Sequence, residues 1–373
     1  MTTPVRLSGQ RPGRGVVLGV LIGILALVVA VRLTGAPVPP GTTSVPTTGA
    51  RTPLPSVPTP TTTPSTAGSS QLPQSCAAPP PDARTVEVTS AADLIRALAA
   101  ARPGDWIRLA PGRYTGRFES SASGTASAGI VVCGPRTAIL DGGGIDAGYG
   151  FHLTSDQWTL SGFTITGSQK GVVLDGASHD VLRDLEIFGL GDEGVHFRAF
   201  SSDNLLENSV IHDVGLLDPH NGEGVYVGSA KSHWGEFSGG RPDASDRNRI
   251  QGNIIGPNTT AESVDIKEGT TGTMLEANTF DGSGMTAADS WVDAKGNDAV
   301  IDANTGRNSP LDGFQTHRIT KGWGLRNRFT ANVVGAGVPG LGFRIDVDAK
   351  GNVVTCDNVM GPDPGRLANI PCS

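Results

Sequence analysis

Eight short segments decide the fold: Gly150-Phe-His-Leu153, Gly171-Val-Val-Leu174, Gly194-Val-His-Phe197, Gly224-Val-Tyr-Val227, Ser263-Val-Asp-Ile266, Trp291-Val-Asp-Ala294, Gly313-Phe-Gln-Thr316 and Gly342-Phe-Arg-Ile345. Their starts lie 21 to 39 residues apart. A period in this range marks a solenoid, a propeller or a repeat array. A second signature recurs between them, as in Asn248-Arg-Ile-Gln-Gly-Asn253, Gly272-Thr-Met-Leu-Glu-Ala-Asn278, Asp298-Ala-Val-Ile-Asp-Ala-Asn304 and Asn327-Arg-Phe-Thr-Ala-Asn332. Each is a short alternating strand ending in Asn at a turn. Asn tolerates left-handed backbone, and stacked Asn side chains hydrogen-bond as a ladder.

Two strands per unit are too few for a propeller blade, and the Leu-x-x-Leu-x-Leu frame of a leucine-rich repeat is absent. The chain therefore reads as all-β, a single-stranded right-handed parallel β-helix over residues 76–373, with two strands and a turn Asn in each coil. Ser90-Ala-Ala-Asp93 is a capping box before Leu94-Ile-Arg-Ala-Leu-Ala. It predicts a helix near residues 91–101 that covers the N-terminal end of the stack.

Alternate residues of a strand face opposite ways. Phe151, Val172, Val195, Val225, Val264, Val292, Phe314 and Phe343 form one apolar column and are assigned to the interior. The residues after them, His152, Val173, His196, Tyr226, Asp265, Asp293, Gln315 and Arg344, then face outward. A second outward column carries Arg198, Lys267, Lys295 and His317. Glu193, Glu223 and Glu262 stand just upstream of three successive strands. Coils stack about 4.8 Å apart, so these groups converge. Acidic and basic columns on the same coils point to a site rather than a solvated face. Arg198, Lys267, Lys295 and His317 are its catalytic candidates. His196, Tyr226, Asp265, Asp293, Gln315 and Arg344 are candidates for substrate binding. The insertion 229–247 lies beside this face, and its Trp234 either stacks on a sugar ring or packs the loop down.

Upstream, Gly15 to Val31 is one apolar run, preceded by Arg6, Arg11 and Arg14. Residues 1–14 read as a cytoplasmic N-terminus by the positive-inside rule, and 15–33 as a membrane anchor or a signal peptide. Residues 34–75 are mostly Pro, Thr, Ser and Gly, and read as a disordered linker. Either reading exports the rest of the chain, to the cell surface or into the medium. The four cysteines fit that compartment. Three pairings are open to them; Cys76–Cys133 with Cys356–Cys372 is favoured, because each bond then pins one end of the domain. The net charge of −7 gives no sign of a nucleic-acid partner. A monomer is expected.

Glu262-Ser-Val-Asp-Ile-Lys267-Glu-Gly-Thr, then Ala277-Asn-Thr-Phe280, then Trp291-Val-Asp-Ala-Lys295-Gly296 resemble the chondroitinase B and alginate lyase family of β-helix lyases, in the pectate lyase-like superfamily. Ala101-Arg-Pro-Gly-Asp-Trp-Ile-Arg-Leu-Ala-Pro-Gly-Arg-Tyr114 likewise resembles the first coil of secreted β-helix polysaccharide lyases. The resemblance implies an acidic polysaccharide or cell-wall glycan as partner, cleaved by β-elimination. It implies Ca²⁺ on Glu262, with Glu223 or Glu193, and Lys267 as the base. Lys295 stands where that family has an Arg, and the His that follows the Arg is absent. A Lys beside other cations has a lowered pKa, which suits a base. Two other readings stay open: a glycoside hydrolase using Asp265 and Asp293 on adjacent coils, and a non-catalytic glycan-binding or cell-wall-associated protein.

Overall fold

Each coil of the chain makes short strands that pair with the same strands of the coils before and after. The computed structural model describes residues 76–373 apart from 121, 147, 363 and 364. The anchor-or-signal segment and the linker fall outside the described residues. No helix among the described residues is long and apolar enough to cross a membrane.

Three parallel sheets run the length of the stack, with 11, 9 and 10 strands. The first runs from Thr85–Val88 to Val353–Val354, and the third from Gly112–Thr115 to Val359–Met360. The 9-stranded sheet, from Phe118–Glu119 to Phe343–Arg344, carries the eight diagnostic segments. A coil thus has three strands, not two. The second signature holds two of them: Arg249–Gln251 and Ile254–Ile255 flank the turn at Gly252-Asn253. A strand of two residues has no periodicity to read.

The register of the diagnostic segments is as expected. Val172 pairs with Val195, Val195 with Val225, Val225 with Val264 and Val264 with Val292. All eight residues of the apolar column are buried. Burying such a side chain stabilises the fold by about 1.5–3 kcal/mol. Gly recurs at the head of the motif because coils approach closely there. A Cβ on Gly171 would lie 2.3 Å from the carbonyl oxygen of Gly194, and one on Gly194 2.5 Å from that of Gly224.

The Asn ladder is present. Asn253, Asn278 and Asn304 each donate Nδ2 to the Oδ1 of the next Asn, at 3.0, 2.9 and 2.9 Å. The left-handed residue is the one before each rung: Gly252, Ala277, Ala303 and Ala331 have φ of 66, 53, 53 and 50°. The Asn side chain fixes the turn by bonding to the neighbouring coil, and its predecessor carries the unusual backbone.

Ser90 caps the helix Ala91–Ala99, accepting from the Asp93 amide, and Leu94, Ala97 and Leu98 are buried against the first coils. The disulfides are Cys76–Cys133 and Cys356–Cys372, the favoured pairing.

Candidate active site

The insertion 229–247 folds back over the outward face of the 9-stranded sheet. Buried Asp243 ties it down, accepting from Ser229 Oγ at 2.6 Å and from the backbone amides of Ala199 and Phe200 at 3.0 and 2.8 Å. The Trp234 indole is buried and donates to the Ser229 carbonyl at 3.0 Å. Trp234 therefore packs the loop and is not a sugar platform. Phe237, one helical turn on, meets the cleft instead, its ring centroid 4.2 Å from the Arg198 guanidinium carbon. Loop and sheet enclose a cleft of about 480 Å³.

Six of the expected residues line it: Glu193, His196, Arg198, Glu223, Tyr226 and Lys267. Glu262 and Asp265 share the coil of Lys267, and Asp293, Lys295 and His317 sit in the next two coils, joined to the cleft through Asp265 and Lys267. Gln315 and Arg344 lie outside: the Gln315 amide donates to Asp289 and Asp312, and Arg344 pairs with Asp312 near the end of the stack. The outward column was expected in solvent, yet His196, Asp265, Asp293 and Gln315 are buried. His196 packs between Glu193 and the Gly228 carbonyl, Lys267, Lys295 and His317 cover Asp265 and Asp293, and Gln315 is held by its hydrogen bonds to Asp289 and Asp312.

Arg198 is held rigidly. Its Nε and Nη2 donate to Asp175 at 2.6 and 2.9 Å, and Nη2 donates to the Tyr149 hydroxyl at 2.8 Å. Its Nη1 has no hydrogen-bond partner among the described residues. Glu193 pairs with Lys170 and lies 3.4 Å from His196 Nδ1. Burial would raise the Glu193 carboxyl, but His196 and Lys170 outweigh it and hold the group down at about 2. Glu193 is thus paired with Lys170 and His196, and the carboxylate oxygens that converge are those of Glu223, Glu262 and Asp265. Burial, then the charges of Glu193, Asp265 and Glu262, push the Glu223 carboxyl well above the usual range.

The two lysines share one carboxylate. Asp265 Oδ2 lies 2.5 Å from Lys267 Nζ and 2.7 Å from Lys295 Nζ. Lys295 also lies 3.1 Å from Asp293 and 3.7 Å from Glu262. Burial would lower both ammonium groups, but the carboxylates outweigh it and hold both above the usual lysine value. The expectation of a lowered lysine is therefore overturned. Each Lys arrives two residues after an Asp on the same face, so attraction to Asp265 exceeds repulsion between the lysines. Burial, then Asp265, raise Glu262 to about 8. Lys295 and His317 offset burial at Asp293 and hold it well below the usual range. Tyr226 stacks edge-on against His196 at 4.5 Å, and burial, then Asp265 and Glu223, keep its phenol protonated.

His233 and Phe237 line the cleft from the insertion expected beside this face, whereas sequence reasoning missed Tyr149, Lys170 and His220 in the cleft wall. Two of them carried a signal. Tyr149 and Lys170 occupy the position before the motif glycine, the same column as Glu193, Glu223 and Glu262. They pair with each other across adjacent strands. His220 and His233 come from loops, which no repeat positions.

Known structures carry this arrangement of coils. An alginate lyase from Paenibacillus sp. str. FPU-7 matches with a TM-score of 0.72 and 40% identity, over 77% of this chain and 99% of that one. The chain belongs to the family of that alginate lyase. This family of the pectate lyase-like superfamily shares its fold with more distant proteins. Pectate lyase Pel9A matches at TM-score 0.61 and 17% identity, covering 78% of this chain and 79% of its own. A rhamnogalacturonan lyase matches at 0.54 and 15%, over 69% and 75%. No family model matches the chain, and no curated protein matches it.

Proposed function

We propose that this chain is an exported polysaccharide lyase that cleaves a uronate-containing glycan, alginate first among the candidates, by β-elimination. The observation that carries the reading is the facing pair Lys267 and Tyr226 in a cleft walled by Arg198, in a chain 40% identical to an alginate lyase. The C–H beside a uronate carboxylate is weakly acidic. The Arg198 guanidinium, clamped by Asp175, offers Nη1 to that carboxylate and stabilises the charge that develops on it. Lys267, as the free amine, takes the C5 proton. The C4–O bond breaks as the C4–C5 double bond forms, and the Tyr226 phenol gives its proton to the departing oxygen. No water is consumed. His317 and Lys295 act behind this pair, on Asp293 and Asp265.

The calcium expectation names Glu262 with Glu223 or Glu193; Glu223 and Glu262 converge with Asp265 instead of Glu193, one carboxylate oxygen of each lying within 4.8 Å of the others. Calcium takes six to eight oxygens. Here two ammonium groups already sit on the cluster, Lys267 and Lys295 both meeting Asp265 Oδ2. The set does not fit calcium, and no step is routed through one. The hydrolase reading needs two carboxylates free to flank a glycosidic bond. Asp265 and Asp293 both hold Lys295, which disfavours it.

Incubation with alginate, pectate and chondroitin tests the proposal. Lyase action produces the ultraviolet absorbance of an unsaturated uronate. Reducing ends without that absorbance indicate a hydrolase, and binding without either indicates a glycan-binding protein.

A further inference from the structure

Lys295 is almost enclosed, with its side chain 10% exposed. Its ammonium lies among carboxylates of two successive coils: Asp265 at 2.7 Å, Asp293 at 3.1 Å and Glu262 at 3.7 Å. Asp265 and Asp293 are register partners on adjacent strands, so the backbone itself brings their charges together. Carboxylates buried this closely without a cation repel each other and lose hydration. Lys295 supplies that cation from within the chain, as a compact charge with three donors. Two acceptors nearby are still unused, since Asp265 Oδ1 and Glu223 Oε2 are buried without hydrogen-bond partners.

We propose that the Lys295 ammonium is the resident cation of this site. It occupies the carboxylate cluster in place of a divalent metal, makes the site independent of metal, and fixes Asp265 and through it Lys267. Lys295 is then a positioning residue in the reaction read above, and its identity as the resident cation does not depend on which glycan is cleaved. Removing the Lys295 ammonium leaves Lys267 on Asp265 Oδ2 but frees Glu262 and Asp293 beside the unpartnered Asp265 Oδ1 and Glu223 Oε2, an oxygen-rich set that a hard cation can take.

The test is calcium uptake by the full chain, read by titration calorimetry. This readout does not need turnover, so it stands even if no polymer is cleaved. Wild type is expected to take up no calcium at this cluster. Lys295→Ala is expected to gain one calcium site and to lose about 100-fold in kcat, with KM little changed. Added calcium restores part of that loss, and Lys295→Arg retains activity without calcium. Lys295→Met serves if the Ala variant does not fold. A wild-type calcium site that Asp265→Asn abolishes overturns the proposal. So does a folded Lys295→Ala or Lys295→Met chain, checked by circular dichroism, that binds no calcium.

Discussion

The ammonium nitrogen of Lys267 lies 4.7 Å from the centroid of the Tyr226 ring, across the gap between consecutive coils. In the proposed reaction the two groups reach one sugar from the same side of the cleft, one as proton acceptor and one as donor. Asp265 holds Lys267 charged, above the usual lysine value. The acceptor form is the neutral amine, so its fraction grows tenfold per pH unit below that raised value. The kcat/KM should rise with pH from about 7 to about 9 with no plateau. The Tyr226 phenol remains protonated over this range, because burial raises it further. A bell with its maximum near neutrality would remove Lys267 as the base.

Lys267→Ala should lower kcat by at least about 100-fold. Asp265 keeps its contact with Lys295 in this variant, so the stability cost is about 1–3 kcal/mol. Thermal melting beside a rate measurement on alginate separates the two effects.

Arg198→Lys should raise KM for polymer about tenfold and leave kcat within a few-fold. A lysine cannot hold Asp175 through two nitrogens while offering a third to substrate. An unchanged KM would assign carboxylate recognition elsewhere in the cleft.

Asp180 stands one coil before Asn204, and its amide donates to the Asn204 Oδ1 at 2.8 Å. Its Oδ1 accepts from the Trp158 amide at 2.7 Å, and its Oδ2 is buried without a partner. Burial pushes this carboxyl up to about 8. The folded chain keeps a proton that the unfolded chain loses near pH 4. The stability this proton confers is complete below about pH 4 and is lost as pH rises through 8. Asp180→Asn should therefore stabilise the protein by about 1–3 kcal/mol at pH 8 and by little at pH 4, read from melts at both.

Gly194→Ala should destabilise by about 1–3 kcal/mol, because the new methyl would meet the Gly224 carbonyl oxygen and, at 2.6 Å, Ile211. Gly235→Ala is the control, since a Cβ there meets nothing within 4 Å. Equal melting temperatures for the two variants would refute the close-approach account of the motif glycine.

The sequence made the interior columns legible because two physical demands coincide on each diagnostic segment. Period-two alternation sorts Val225 and Val227 inward and Tyr226 outward, and coil contact demands glycine at 224. The Ile254–Ile255 strand escaped notice because two residues show no alternation. Burial of the outward face also escaped, since Asp243 docks the 229–247 insertion from outside the repeat. The raised lysines depend on distances to Asp265 that no spacing rule supplies. His220 and Phe237 reach the cleft from loops, and periodicity is silent about them.

The two disulfides sit at opposite ends of a stack in which each coil touches only its neighbours. Such a structure melts like a zipper, opening from its termini, where a coil has one neighbour instead of two. Cys76–Cys133 clamps the first coils and Cys356–Cys372 the last. Each clamp contributes roughly 2–4 kcal/mol where fraying would begin. The cleft lies near the middle of the stack, several coils from either clamp. Reduction should therefore shorten the lifetime of the folded chain at high temperature while leaving its turnover at 25 °C intact. Durability and catalysis are, in this molecule, properties of different coils.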